Sequence, residues 1–247
     1  MSRYAPGGVS YRFGPGGLSP AIRVLLYTNI AVFLVLSFAP NAIVGDILAL
    51  VGLRPRSVVE RLWVWQVATY LFLHGDLFHI LFNLLNLWMF GVELERRWGT
   101  QAFVRYFFVT GVGAGLTVLL VSFLPFASTR AMYNATTIGV SGAVLAVILA
   151  WALIFKDRTL MFMMMFPLPA RVYAALMAAI VFYSALGSSG GGVAHFAHLG
   201  GLVVGYFYLK GPKGPHDLKL EIQYRLTKWR MDRMRKKFDV HRGGRVH

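Results

Sequence analysis

Four residues with reactive or hydrogen-bonding side chains stand inside long uncharged stretches of this chain: His79, Asn83, Ser141 and His198. Polar groups are costly to bury in an apolar span, which makes them candidates for function. Ser141 lies in Gly139-Val-Ser-Gly142 at the start of a long apolar run. A serine hydroxyl is a weak nucleophile without an adjacent base, and small neighbours leave room for a carbonyl to approach it. The same tetrad also suits a helix-packing site. His198 opens His198-Leu-Gly-Gly201-Leu-Val-Val-Gly205, in which Gly201 and Gly205 form a small-xxx-small face, and Gly142 with Ala146 offers a matching one. Such an approach is what a Ser-to-His hydrogen bond of about 2.6 to 3.2 Å demands; a purely structural histidine is the alternative. His79 and Asn83 are four apart, on one helix face. Their donors, with the Ser141 backbone N–H, suit a tetrahedral oxyanion. The competing reading is an interhelical polar clamp worth about 1 kcal/mol.

Other chemistries are poorly supplied. Asp46 and Asp76 fall in an outer loop and Glu93 and Glu95 at the opposite end of a span, so any Ser-His pair is expected to be a dyad without an acid. His195 and His198 are the only close histidine pair and lack a carboxylate partner, and there is no His-Glu-x-x-His, so no metal is expected. The chain has no cysteine, which excludes disulfides, thiolate ligands and a cysteine nucleophile.

The elements that must position these residues are membrane spans. Hydrophobic residues make up 57% of the chain and charged ones 14%. Uncharged stretches cover Val24 to Gly45, Leu77 to Val92, Tyr106 to Thr129, Ala131 to Phe155 and Val172 to Leu209. A span needs about 20 apolar residues. The last stretch is broken by Gly187-Ser-Ser-Gly-Gly-Gly192 and reads as two helices, giving six spans. With a cytoplasmic N-terminus, 21 of the 25 Lys and Arg lie inside, and only Arg54, Arg56, Arg61 and Arg130 lie outside. Spans two, four and six then run inward, and His79, Ser141 and His198 fall within roughly the outer 10 Å of the membrane, at 1.5 Å per residue. The fold class expected is an all-α integral membrane bundle of six transmembrane helices with both termini cytoplasmic.

Residues 1–20, rich in Gly and Pro, are expected to be a disordered arm, and 21–209 the membrane domain. The N-terminus lacks a signal-peptide pattern, so the first span is expected to be retained. The loop from Asn41 to Gly75 carries Trp63, Trp65, Tyr70 and Phe72 and is expected to fold on the outer leaflet. The tail, 210–247, holds 12 cations and is read as a solvated helix attracted to anionic lipids, with nucleic acid the minority reading. No internal repeat favours an inverted-repeat transporter. Asn134-Ala-Thr136 fits a glycosylation pattern.

Together these residues resemble the rhomboid protease family from about Trp65 to Tyr208. The matching segments, in family order, are Phe72-Leu-His74-Gly75, His79-Ile-Leu-Phe-Asn83, Gly91 to Gly99 with Glu95 and Arg97, Gly139-Val-Ser141-Gly142, and Ala194-His-Phe-Ala-His198-Leu-Gly-Gly201. The resemblance implies that Ser141 is the nucleophile and His198 the base. It also implies that His79 and Asn83 are the side-chain part of an oxyanion and substrate-binding set that includes Gly139. By the same resemblance the first loop lies partly in the membrane, the Gly187 to Ala194 loop acts as a movable cap, and Glu95 and Arg97 form a structural pair. Two positions depart from the family: Gln66 follows Trp65 where an arginine is usual, and Leu145 replaces an aromatic one turn after the serine. The first leaves loop anchoring open, and the second implies that apolar packing holds His198. Neither removes a catalytic group.

The activity expected is hydrolysis of a peptide bond in or near a substrate's transmembrane segment, without a cofactor. The helix must unwind locally to free its carbonyls, favouring small and helix-weakening residues at the cut. A bacterial plasma membrane is the expected location, from the compact six-span core. Two rivals remain: a rhomboid-like protein that binds transmembrane segments without cutting, and a transporter or proton channel using His79, Asn83 and His198.

Overall fold

Proline at the first helical position starts α1 (Pro20–Phe38), and the carboxylate of Glu95 completes its N-terminus. Glu95 accepts from Ser19 Oγ, from the backbone N–H of Ala21 and Ile22, and from Thr100 Oγ1. A negative group thus satisfies donors that a helix start leaves unpaired, where the helix dipole favours it. The computed structural model describes residues 14–125, 127–156, 158–162, 166–187 and 193–211.

Two corrections arise at this end. Residues 14–19, expected to belong to a disordered arm, are docked: Arg96 donates to the carbonyls of Pro15 and Gly17 at 2.6 and 2.8 Å, and Trp88 Nε1 to that of Gly16 at 3.3 Å. A Gly/Pro segment with little side chain to bury is held through its backbone carbonyls. Residues 1–13 lie outside the described residues. Glu95 and Arg97 do not pair with each other: Glu95 caps α1, and the Arg97 guanidinium lies 6.0 Å from the centre of the Phe155 ring.

The segment after α1 folds into α2 (Asn41–Val51), α3 (Pro55–Glu60), α4 (Gln66–Thr69) and a 3-10 turn (Tyr70–Phe72). Gln66, fully buried, anchors it. Its amide donates to the carbonyls of Ala49 and Leu50 at 2.8 and 3.1 Å and accepts from Arg54 N–H at 3.1 Å. The glutamine therefore ties three points of the loop that an arginine, having no acceptor, joins only as a donor.

Asp76 caps α5 (Leu77–Trp98), accepting from the His79 N–H at 2.8 Å. Gly99 turns the chain directly into α6 (Thr100–Val121). After α7 (Ala127–Asn134), residues 135–140 are not helical: Leu53 and Thr137 exchange backbone hydrogen bonds as an isolated bridge. Helix α8 begins only at Ser141 and ends at Ile154. The uncharged run from Ala131 to Phe155, expected to form one span, is therefore two helices and an extended link. Antiparallel β1 (Thr159–Phe162) and β2 (Phe166–Pro169), which the all-α expectation did not include, lead into α9 (Ala170–Gly187) and α10 (Val193–Lys210).

Helices α1, α5 and α6 are each long and apolar enough to cross a membrane. Their outer faces show Tyr27, Val35, Phe82 and Leu120 to the surroundings, a surface suited to lipid. Helix α8, of 14 residues, packs against α5, α6 and α9 and is sheathed by them. At 1.5 Å per residue it reaches about 21 Å, short of the roughly 30 Å of a bilayer core. It starts directly after the extended link, with Ser141 half-buried and Gly142 to Val144 buried. The basic tail from 212 onward lies outside the described residues, as do residues 188–192 of the expected cap loop.

Candidate active site

Ser141 is the first residue of α8. The first helical hydrogen bond donated beyond it is from Val144 N–H to Val140 C=O, so the N–H groups of Ser141, Gly142 and Ala143 precede the ladder. Such orphan donors carry about half a positive charge at a helix start and suit an anion. The hydroxyl of Ser141 lies 2.6 Å from His198 Nε2.

That contact depends on the missing side chains of two helices. A Cβ on Gly201 would lie 2.1 Å from the Gly142 carbonyl oxygen, and one on Gly205 2.9 Å from Ala146 Cβ. One on Gly142 would lie 2.9 Å from the Ala197 carbonyl oxygen and 2.8 Å from Ala114 Cβ. The small-residue faces of α8 and α10 are thus in backbone contact, and Tyr106 fixes the α8 side by donating its hydroxyl to the Ala146 carbonyl at 2.8 Å. His198 meets the ring of His195, on its own helix, edge-on at 6.2 Å.

The third wall is the link before Ser141. Gly139 has φ +115°, and a Cβ there would sit 2.8 Å from His79 Nε2 and 3.8 Å from Ser141 Oγ. Both the backbone conformation and the lack of space select glycine. The absent methyl leaves one small space bounded by the His79 imidazole and the serine hydroxyl. The link is held from below, Gly139 N–H donating to the Tyr70 carbonyl at 3.0 Å while the Tyr70 hydroxyl donates to Gly111 C=O at 2.7 Å.

Asn83 is buried one turn along α5 from His79, with one amide N–H donated to the His79 carbonyl at 2.9 Å. That bond directs the amide along its own helix. His79, Gly139, Ser141 and His198 are therefore drawn together around one space, and Asn83 stands behind His79. No group of three or more His, Cys, Asp or Glu suited to a metal ion occurs among the described residues. Asp76 is committed to the α5 N-terminus.

His74 was not singled out for chemistry in the sequence. It is buried with neither ring nitrogen hydrogen-bonded, edge-on to His79 at 5.0 Å between ring centres. Burial, and secondarily the neighbouring His79, push its pKa down to about 4. The signal available was its place five residues before His79, on the approach to the helix.

An acyl-transfer site needs a nucleophile, a base in hydrogen-bond reach and donors for a developing oxyanion, and this arrangement can supply all three. Residues 61–211 match the family model described as the Rhomboid domain. Similar curated proteins include Rhomboid-like protease 3 of Toxoplasma gondii, 25% identical over 74% of this chain and 63% of the relative. Rhomboid protease GlpG of Yersinia pseudotuberculosis is 28% identical over 66% and 54%, and RHOMBOID-like protein 1 of Arabidopsis thaliana 28% over 60% and 34%. The chain spans less than two thirds of the length of these relatives.

Proposed function

The chain belongs to the rhomboid family, and from that premise we propose that it is an intramembrane serine endopeptidase with a Ser141–His198 dyad. The observation that carries the reading is the 2.6 Å contact between His198 Nε2 and Ser141 Oγ at the start of α8. Relatives named as proteases support the class of reaction.

In this mechanism the substrate's transmembrane segment unwinds at its upper end and presents a carbonyl carbon to Ser141. His198 accepts the hydroxyl proton at Nε2 as the C–O bond forms, then passes it to the leaving amine. The oxyanion lies against the N–H of Ser141 and the side chain of His79, with the α8 dipole adding to both. Asn83 supports His79 from behind and turns its amide toward the oxyanion when substrate arrives. Water enters from the same end and hydrolyses the acyl-enzyme with His198 again as base.

The proposed topology has six spans with both termini cytoplasmic, the split fourth stretch, α9 and α10 joining α1, α5 and α6. A bacterial plasma membrane is the proposed setting, with transmembrane proteins as substrates and anionic lipid against the basic tail. The test is cleavage of tagged single-span substrates by purified protein in detergent. Wild type should cut, with Ser141→Ala and His198→Ala reducing turnover by at least about 10³-fold. Undiminished cleavage by Ser141→Ala would refute the dyad, and binding without cleavage across varied substrates would favour a segment-binding relative.

A further inference from the structure

At the end of the bundle where α8 begins, the loop segment forms a polar cavity of about 190 Å³, lined by Ala49, Arg54, Arg56, Ser57, Arg61 and Trp63. Three of the four arginines assigned to the outer side converge on it. One carboxylate stands nearby, Glu60, bound to the exposed face of Arg56 at 2.9 Å. It offsets one guanidinium and leaves net positive charge. Arg54 donates its Nε–H to the Asn134 carbonyl at 2.8 Å, and its two terminal nitrogens have no described partner. Arg61 lies over the Trp63 ring at 5.1 Å and makes no described ion pair. Ser57 lines the same cavity: the residue is 93% buried, from a relative exposure of 7%, and its hydroxyl has no described hydrogen-bond partner.

A hydroxyl at the cavity wall with no described protein partner, on a residue otherwise buried and beside three arginines, suits an oxyanion, since arginine forks match the geometry of phosphate oxygens. The wall beside it is apolar and turned outward. Leu62 holds a left-handed φ of +57°, unusual for a residue with a branched side chain, and is 73% exposed. Val64 and Trp65 are exposed beside it, and Trp65 is stacked on Trp63 at 5.7 Å. Cationic pocket and apolar wedge, adjacent in sequence, match the headgroup and upper acyl region of a leaflet.

We infer that this cavity binds the headgroup phosphate of an outer-leaflet phospholipid. Arg61 and Arg54 contact the phosphate oxygens, the Ser57 hydroxyl donates from the floor, and Leu62 and Val64 enter the acyl layer. The site rests on the membrane setting of the chain and is independent of chemistry at Ser141. Arg54 also joins the lipid pocket to the residues that lead into the active site, through Asn134 and through the Leu53–Thr137 bridge.

The experiment is thermal unfolding of the full chain in detergent, titrated with short-chain phosphatidylglycerol or with inorganic phosphate. Wild type, Arg61→Gln, Ser57→Ala and Arg56→Gln/Arg61→Gln are compared. Phosphatidylglycerol should raise the wild-type Tm by several degrees at concentrations where inorganic phosphate does not. The shift should fall by at least half in Arg61→Gln and vanish in the double variant, with Tm in the absence of lipid close to wild type. Ser57→Ala should require several-fold more lipid for the same shift. An equal lipid-induced shift in wild type and the double variant would overturn the site, placing the lipid elsewhere, such as the tail. An equal shift with inorganic phosphate would overturn the lipid assignment. Because the readout is Tm, a failed cleavage assay and a failed lipid site are separately visible.

Discussion

The His79 imidazole reaches the same small space as Ser141 Oγ only because Gly139 has no side chain and a left-handed backbone. If that imidazole steadies an oxyanion, its removal acts on the transition state more than on substrate binding. His79→Ala is expected to lower kcat by about 10² to 10³-fold with KM changed little, measured on a single-span substrate. His74 gives a second expectation. Its folded-state pKa, near 4, lies below the ordinary 6.5, so the unfolded chain binds the proton more readily. The stabilising effect of keeping it neutral is complete above about pH 6.5 and is lost as pH falls through about 4. In denaturation measured between pH 7 and 4, wild type should lose stability over this window, and His74→Phe should lose visibly less. The meeting of Ser141 with His198 was legible in the sequence because a serine, a histidine and their glycines stand out in apolar surroundings. His74 was not, since its burial against His79 arises only from the turn that precedes α5.

Between elements, the decisive contact is backbone against backbone. Gly201 and Gly142 touch so closely that any Cβ on Gly201 displaces α10 or α8. Gly201→Val should separate the Ser141 and His198 groups, reducing cleavage at least about 10²-fold. Val203→Ala, on the exposed face of the same helix, should stay within about two-fold of wild type, both being assayed at equal folded concentration. The spacing of small residues made this contact readable in advance, because only small residues permit it. The break before α8 was less readable. Residues 131–155 are uncharged throughout, and hydropathy does not distinguish a continuous helix from two joined by an extended link. What fixes the break is tertiary: the Leu53–Thr137 bridge and the Gly139 bond to Tyr70 draw residues 135–140 against the loop. The docking of residues 14–19 escaped composition for a similar reason, since carbonyls satisfy Arg96 whatever side chains they carry.

At the scale of the molecule, the start of α1, the α5–α6 junction and the β1–β2 segment share one end of the bundle. Glu95 reaches Ser19, and Glu93 is paired with Arg158 at 2.6 Å. The long loop, the residue 135–140 link and the start of α8 share the other. The proposed topology, with most cations inside, puts the first end in the cytoplasm and the second outside. Reporter fusions are expected to show residues 1–13, the β1–β2 turn and the tail in the cytoplasm, and the Asn41 to Gly75 loop outside. A tail reporter on the outer face would contradict the six-span count. In the proposed function, a nucleophile at the start of a short helix near the outer end reconciles hydrolysis with a bilayer, because water need not cross it.

The central claim is that Ser141 is a nucleophile made reactive by His198. The most direct measurement is covalent trapping of the purified protein with a fluorophosphonate, mapped by peptide mass spectrometry. The account predicts one adduct on Ser141 in wild type and a rate at least about 10²-fold lower in His198→Ala. Folded protein that remains unlabelled at Ser141, or that labels equally fast without His198, would contradict it.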